Sequence, residues 1–214
     1  MSFESSGPGR FIVFEGIDGS GKSTQVSRLG RRLDQKGLDP VITCEPSDGP
    51  VGRLIRQMLA GDLPVDQRTL AAMFAADRTD HLLNGVNGVK AQVDAGRVVV
   101  CDRYYFSSYA YHAQFMDMEQ VIRMNQHNAE ILKPWVTLFI DVDPTLCLER
   151  IKANRDQLDM YEKIDILKAV RGHYLDAFGR FRDEEQVIIV DGNGSPEEVE
   201  ERVWEAVSPA LATS

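Results

Sequence analysis

The chain has 214 residues, of which 43% are hydrophobic, and this length and composition predict a single domain over residues 1–214 with its own core. Its formal net charge of −9, from 33 acidic and 24 basic residues, argues against nucleic acid or an anionic membrane as a partner. Three scattered cysteines and the lack of any apolar run of signal-peptide or membrane-spanning length predict a soluble, cytoplasmic protein.

The first predicted element is a short apolar strand, residues 11–14, followed by a glycine-rich loop and a helix. The loop fits the pattern G-x-x-x-x-G-K-[ST] in every fixed position, and this pattern turns backbone N–H groups towards a phosphate chain. We expect Lys22 to neutralise the β- and γ-phosphates of ATP and the Ser23 hydroxyl to bind Mg²⁺. The predicted ATP-binding residues are Gly16, Ile17, Asp18, Gly19, Ser20, Gly21, Lys22, Ser23 and Thr24.

The next elements are a second strand over residues 40–44 and a helix over about residues 51–60. Asp66 is placed to cap the N-terminus of a long helix. This helix could extend to residue 95, but Gly85 and Gly88 weaken it and predict a break there.

The strand predicted over residues 98–101 carries Asp102 and Arg103 at its carboxyl end, where open parallel sheets bind ligands. On the long helix, Phe74 and Arg78 lie one turn apart on the same face. A nucleotide base can stack on the ring while the guanidinium binds the edge or the phosphate of that nucleotide. Ordinary core packing is an equal alternative for Phe74.

Strands and helices alternate along the chain, which predicts an α/β fold with a parallel five-stranded sheet and helices on both faces. Residues 153–162 are polar and poor in apolar side chains, and they predict a short lid. A capping box at Ser195–Glu198 predicts the start of the last helix. The other predicted elements are helices over residues 107–114 and 118–131, a helix from residue 144, a helix that ends near residue 182, and strands over residues 136–142 and 187–190.

Three classes of P-loop protein compete for this pattern, namely nucleotide kinases, GTPase switches, and motor or transport ATPases. A GTPase is disfavoured because the sequence contains no Asn/Thr-Lys-x-Asp motif with which to bind guanine. An ATPase module more often has a second acidic residue directly after the strand-end aspartate, whereas Arg103 follows Asp102 here. An arginine at this position suits the phosphate of a second nucleotide, so the residues favour a kinase.

Five groups of residues occur together in a characteristic order: the loop 16–24, Glu45-Pro46, Ile55-Arg56, Phe-Ala-Ala-Asp-Arg at 74–78, and the motif that begins at Asp102. In this order and spacing they resemble the thymidylate kinase family over nearly the whole chain. The resemblance implies a P-loop kinase fold, transfer of the γ-phosphoryl group of ATP to dTMP with Mg²⁺, and a homodimer formed through the long helix. The alternatives are a kinase for another nucleoside monophosphate and a P-loop protein that binds nucleotide without transferring phosphate.

The resemblance also implies roles for individual residues. Asp18 resembles the acid that binds the sugar 3′-hydroxyl, and Asp102 is expected near Mg²⁺ together with Ser23. Because Gly19 occupies a loop position where another branch of the family has arginine, the lid is expected to supply a catalytic cation, for which Arg155 is the best match. The implied catalytic residues are Lys22, Arg103, Arg155 and Asp18, and the implied dTMP-binding residues are Asp18, Arg56, Phe74, Arg78, Arg103, Ser108, Tyr111 and His112.

The sequence departs from the family pattern at three positions. Cys44 stands where bacterial relatives often have arginine, His112 where many have a thymine-binding glutamine, and Met160 where a second lid arginine is common. A packed or surface role is the alternative for His112. The other dTMP roles implied are phosphate binding by Arg56 and Arg103, stacking by Phe74, contacts to the base edge by Arg78 and Ser108, and discrimination against a ribose 2′-hydroxyl by Tyr111.

Overall fold

The computed structural model, which describes residues 9–154 and 163–211, contains a single five-stranded parallel sheet within those ranges. Its strands are β1 (Arg10–Glu15), β2 (Val41–Cys44), β3 (Val98–Asp102), β4 (Val136–Asp141) and β5 (Val187–Asp191). The strand order is β2-β3-β1-β4-β5, so the strand that leads into the glycine-rich loop lies at the centre. The α/β class and the parallel five-stranded sheet that the sequence predicts are therefore confirmed.

Helices cover both faces of this sheet, and their apolar sides form the main core with the strands. A smaller apolar cluster of Ile55, Met58 and Leu70 joins the second helix to the third. Within the described ranges, no helix combines the length and apolarity needed to cross a bilayer. The helices are α1 (Lys22–Gln35), α2 (Pro50–Ala60), α3 (Gln67–Leu83), α4 (Val89–Asp94), α5 (Tyr105–His112), α6 (Met118–Ile131), α7 (Pro144–Asn154), α8 (Ile164–Phe181) and α9 (Pro196–Leu211).

The helix boundaries that depend on local capping are where the sequence predicts them. The Asp66 side chain accepts a hydrogen bond from the Arg68 N–H at 2.9 Å and caps α3. The predicted break lies between α3 and α4, where a Cβ atom at Gly88 would approach a backbone oxygen of the preceding turn to 2.5 Å. At α9, Ser195 and Glu198 exchange the two hydrogen bonds of a capping box.

The start of α5 differs from the prediction by two residues. The sequence predicts a helix over residues 107–114, whereas α5 runs over Tyr105–His112. Its first turn is capped from another element, because the Glu15 carboxylate of β1 accepts the N–H groups of Tyr104 and Ser107 at 2.9 and 3.0 Å. A cap supplied by a distant strand leaves no signal in the local sequence.

The predicted lid over residues 153–162 is described only at its first two residues. Residues 153 and 154 are the end of α7, which corrects the predicted boundary. The predicted catalytic residue Arg155 and the departure at Met160 lie outside the described residues.

The register of the sheet brings the carboxyl ends of three strands to one level. Phe14 of β1 and Cys44 of β2 both lie level with Asp102 of β3. The residues that follow each strand therefore meet at one edge of the sheet, where parallel sheets bind ligands.

Candidate active site

The glycine-rich loop joins the end of β1 to the start of α1. Gly19 has a φ of +79°, and a Cβ atom there would lie 2.4 Å from the carbonyl oxygen of Cys147 on α7. Gly21, at the N-cap of α1, has a φ of +90°. Both positions therefore need glycine, the first for space and conformation and the second for conformation. The loop brings the N-terminus of α1, which favours anions, to the edge of the sheet.

A cavity of about 490 Å³ opens at this edge, and its walls come from the loop, α1, α7 and the ends of β2 and β3. A second cavity of about 320 Å³ lies between the loop, α1 and the connection from β5 to α9. Gly21, Thr24 and Arg150 line both cavities. The predicted site residues that line the first are Asp18, Gly19, Gly21, Lys22, Ser23, Thr24, Asp102 and Arg103.

Lys22 is the first residue of α1 and has 5% of its surface exposed. Its Nζ donates to the carbonyl oxygen of Ile17 at 3.0 Å. Burial lowers the pKa of Lys22 and the charge of Arg103 lowers it further, while Asp102 and Asp18 act in the opposite direction. The charge of this lysine is therefore only partly compensated within the protein, which suits a group that binds phosphate.

Ser23 and Asp102 lie together in the same cavity, where the Ser23 hydroxyl donates to Asp102 Oδ2 at 2.5 Å. The other oxygen, Asp102 Oδ1, is buried and has no hydrogen-bond partner among the described residues. A hydroxyl beside a carboxylate oxygen without a partner fits a small hard cation, since Mg²⁺ prefers oxygen ligands and is bound by one or two carboxylates together with phosphates and water.

Arg103 follows β3 and has a φ of +74°, a left-handed backbone conformation that residues other than glycine rarely adopt. Its Nη2 donates to the carboxylate of Asp18 and to the Tyr111 hydroxyl, the latter at 3.2 Å. The Tyr111 hydroxyl donates to the second Asp18 oxygen at 2.8 Å. Burial favours a higher pKa for Asp18, but the charges of Arg103 and Lys22 outweigh it and the pKa is lowered. Asp18 is therefore held ionised in the cavity wall.

Arg78 is the centre of a buried polar cluster with acceptors on three other parts of the chain. Its Nε and Nη2 lie 2.8 and 2.6 Å from Glu45 Oε2, and only 1% of each side chain is exposed. Its Nη1 donates to Ser108 Oγ of α5 at 3.1 Å and to the amide oxygen of Asn125 on α6. Glu45 also lines the first cavity, so this cluster adjoins the glycine-rich loop.

Phe74 and His112 lie next to each other, with ring centroids 5.3 Å apart and planes tilted by 54°. Phe74 is only partly buried, whereas His112 is buried and its Nδ1 has no hydrogen-bond partner among the described residues. Burial and the nearby charge of Arg78 lower the pKa of His112 to about 4. The imidazole is therefore neutral at pH 7, with one ring nitrogen able to accept a hydrogen bond and the other able to donate one.

Arg56 differs from the other predicted residues in its surroundings. Its guanidinium donates to the carbonyl oxygens of Pro46 and Ser47, both at 2.6 Å, and lies 3.3 Å from a carboxylate oxygen of Asp48. These contacts fix the loop after β2, and the side chain is 41% exposed. The structure thus places Arg56 against the loop after β2, and not among the contacts of Arg103 with Asp18 and Tyr111.

The comparisons with known proteins agree with this geometry. A family model described as thymidylate kinase matches residues 14–203. This chain belongs to the thymidylate kinase family. A protein named "Thymidylate kinase" from Geobacillus sp. is 35% identical over 199 residues, which cover 89% of this chain and 92% of that protein. A second protein named "Thymidylate kinase", from Caldicellulosiruptor saccharolyticus, is 35% identical over 95% of this chain and 98% of that protein. A "Probable thymidylate kinase" from Methanocaldococcus jannaschii is 40% identical over 85% of this chain and 86% of that protein.

Three further residues contribute to the site of this thymidylate kinase family member, although the sequence analysis assigns them no role. Glu45 holds Arg78, and its position directly after an apolar strand is a signal that could have identified it. Arg150 lines both cavities from α7, within one turn of the predicted lid. Asn125 gives no signal, because a single polar residue within a helix predicts no particular contact.

Proposed function

We propose that the protein transfers the γ-phosphoryl group of ATP to dTMP and so forms dTDP and ADP. The observation that carries the proposal is that Lys22 of the phosphate loop, residues 16–24, lines the same cavity as Arg103, which contacts Asp18 and Tyr111. Two cations in one cleft suit two phosphate groups that must approach each other for transfer. Membership of the thymidylate kinase family supports both substrates.

The donor nucleotide is assigned to the loop and to the second cavity. The backbone N–H groups of residues 16–24 hold the phosphates, and Lys22 neutralises the charge that develops during transfer. The cavity of about 320 Å³ extends from the loop at Ser20 and Thr24 to Pro196, on the side of the connection from β5 to α9, so it is assigned to the adenosine. Arg150 lines both spaces and would lie along the phosphate chain.

Mg²⁺ is proposed to bind with ATP at Ser23 and Asp102. This assignment is supported by the buried Asp102 oxygen that lacks a partner among the described residues. When bound, the ion would neutralise phosphate oxygens during transfer. The two residues proposed to bind the ion are already adjacent, since the Ser23 hydroxyl contacts Asp102.

The acceptor phosphate is assigned to Arg103, with Arg56 at the rim, and the deoxyribose to Asp18 and Tyr111. Asp18 is an ionised acceptor suited to a 3′-hydroxyl, and the Tyr111 ring beside it would crowd a 2′-hydroxyl. Arg155 of the lid is proposed as a catalytic cation. Arg155→Ala should then lower kcat while leaving the Kd for dTMP unchanged in calorimetry.

Thymine is assigned to the space beside Phe74, Arg78, Ser108 and His112. The guanidinium of Arg78 uses Nε and one N–H of Nη2 on Glu45, and Nη1 on Ser108 and Asn125. Among the described contacts, this leaves one N–H of Nη2 for the base. A donor at this place suits the O4 of thymine but opposes the amino group of cytosine. A neutral His112 can act as acceptor or donor towards the base.

We further propose that the protein is a cytoplasmic homodimer formed through α3. The three cysteines are free thiols, as expected in a reducing compartment. Along α3 the side chains of Thr69, Ala72 and Ala76 are exposed on one face, which leaves a shallow surface on which a second α3 can lie. Sedimentation velocity on the full chain tests the dimer, and a monomer at micromolar concentration would refute it.

The decisive experiment is an ADP-release assay with dTMP, dUMP, dCMP and dGMP as acceptors. We expect dTMP to have the highest kcat/KM, dUMP to be about 10- to 100-fold poorer because it lacks one methyl group, and dCMP to be poorer still because it leaves a buried donor unpaired. A purine or dCMP as the best acceptor would refute the base assignment. ATP hydrolysis without any acceptor would identify an ATPase, and tight binding without turnover would identify a nucleotide-binding protein.

A further inference from the structure

Glu15 is a buried carboxylate to which the proposed mechanism assigns no role. It is the last residue of β1, directly before the phosphate loop, and none of its surface is exposed. Its Oε1 accepts the N–H groups of Tyr104 and Ser107, and its Oε2 accepts the hydroxyls of Ser107 and Tyr174 at 2.6 and 2.8 Å. Burying a carboxylate costs free energy unless hydrogen-bond donors compensate the lost water. Here four donors do so.

The first two bonds fix the start of α5. The N-cap residue, Tyr104, makes no capping hydrogen bond with its own side chain, so Glu15 supplies the cap. The residues of α5 that face the proposed acceptor are Ser108, Tyr111 and His112. The position of all three therefore depends on a residue attached to the phosphate loop.

The other two bonds act on Arg103. The hydroxyls of Ser107 and Tyr174 each have one hydrogen, and both donate it to Glu15 Oε2. Their oxygens are then left to accept from Arg103 Nη1, which lies 3.1 Å from Ser107 Oγ and 3.5 Å from the Tyr174 hydroxyl. The same nitrogen donates to the Gly16 carbonyl oxygen at 3.3 Å.

The two terminal nitrogens of Arg103 therefore have different surroundings. Its Nη1 faces the network of Glu15, Ser107 and Tyr174, whereas its Nη2 faces Asp18 in the cavity. Burial raises the pKa of Glu15, and the Ser107 hydrogen bond and the charge of Arg103 oppose this shift.

We propose that Glu15, acting through Ser107 and Tyr174, is the positioning residue of the acceptor site: it sets Arg103 and the first turn of α5 relative to the phosphate loop. The inference rests on the proposed function, because it treats Arg103 as the acceptor-phosphate ligand. It extends that function by assigning the alignment of acceptor and donor to a single carboxylate that contacts neither.

Tyr174→Phe is the sharpest test, because it removes one hydroxyl and leaves the ring in place. Tyr105→Phe is the matched control, since Tyr105 is equally buried and its hydroxyl donates to a different carboxylate, Glu185, at 2.7 Å. We expect Tyr174→Phe to raise the KM for the acceptor about tenfold while the KM for ATP changes less than about twofold. Tyr105→Phe should leave both values within about twofold.

Glu15→Gln keeps the size of the side chain but replaces one oxygen with an NH2 donor. Either the two hydroxyls must then turn away, or the N–H groups of Tyr104 and Ser107 lose their acceptor. Glu15→Gln should also raise the KM for the acceptor selectively, and its effect should be less than additive with that of Arg103→Lys in the double variant. If Glu15→Gln does not fold, Tyr174→Phe still decides the question. Equal changes in both KM values, or Tyr174→Phe matching Tyr105→Phe, would overturn the proposal. The acceptor used is whichever monophosphate the parent phosphorylates best, so failure of the dTMP assignment leaves this test intact.

Discussion

Lys22 lies in the glycine-rich loop, the proposed phosphate loop, and Arg78 lies in the pocket proposed for thymine, the proposed base pocket. Both are buried cations, with 5% and 1% of their surfaces exposed. Burial and the charge of Arg103 lower the pKa of Lys22, and among the described residues the Lys22 amino group donates only to a carbonyl oxygen. Burial would also lower the pKa of Arg78, but the charge of Glu45 outweighs it and the pKa is raised. The charge of Lys22 is therefore only partly compensated until a ligand binds, whereas the charge of Arg78 is already compensated by Glu45.

The two regions also differ in how they are built. The loop is a continuous segment whose shape follows from glycines at fixed spacing. The base pocket takes Glu45 from the end of β2, Arg78 from α3, Ser108 from α5 and Asn125 from α6. Changes in the loop should therefore affect catalysis, and changes in the pocket should affect stability as well as specificity.

The largest effect is expected for Arg78→Met. This change removes the partner of a fully buried carboxylate, and breaking such a pair costs about 3–5 kcal/mol of stability. Urea unfolding at pH 7.5 measures the loss.

The double variant Arg78→Met with Glu45→Leu is the control, since it removes both charges and should recover most of the lost stability. If the single variant proved as stable as the parent, the pocket would not depend on this ion pair, and the contrast with the loop would fail.

The next effect is expected for Lys22→Ala. It should reduce kcat at saturating ATP by at least about a hundredfold, because the lysine acts on charge that develops in the transition state. The free energy of unfolding should change by less than about 1 kcal/mol, because the folded protein disfavours the charge that is removed.

Lys90→Ala is the control for this variant, because Lys90 is a partly exposed lysine that pairs with Asp94 on the same helix. Lys90→Ala should change neither kcat nor the free energy of unfolding. Near-normal turnover of Lys22→Ala would contradict the assignment of the phosphate loop.

The contrast between the two regions also explains what the sequence could predict. The loop, the cap at Asp66, the capping box at Ser195 and the five strands depend on neighbouring residues, and the structure has them where the sequence places them. The start of α5 was wrong because its cap, Glu15, comes from β1. The contacts of Arg78 join four separate elements, so its place on a helix face could be predicted but its partners could not.

His112 allows a third test, through the dependence of stability on pH. Its pKa is about 4 in the folded protein and about 6.5 when unfolded, so the unfolded chain binds more protons between these values. Stability should therefore rise with pH across this window. From pH 5 to pH 7.5 the contribution of this group is about 2 kcal/mol.

His112→Gln removes this titration. Urea unfolding of the parent and the variant at both pH values should show that the variant loses about 2 kcal/mol less on acidification. A parallel loss in the two proteins would mean that His112 is not buried in its neutral form.

The smallest effect is expected for Ser108→Ala, and its neighbour provides the comparison. Arg78 Nη1 keeps the Asn125 oxygen when the Ser108 hydroxyl is removed, so the cost should be about 1 kcal/mol of stability. Ser107→Ala instead removes a hydroxyl that contacts two charged groups, Glu15 and Arg103, and bonds to charged groups are worth about 1.5–3 kcal/mol. Urea unfolding should therefore rank Ser107→Ala as the more destabilised of the two. An equal loss of stability in both variants would contradict the expectation that the contacts of Ser107 with Glu15 and Arg103 are stronger than the contact of Ser108 with Arg78.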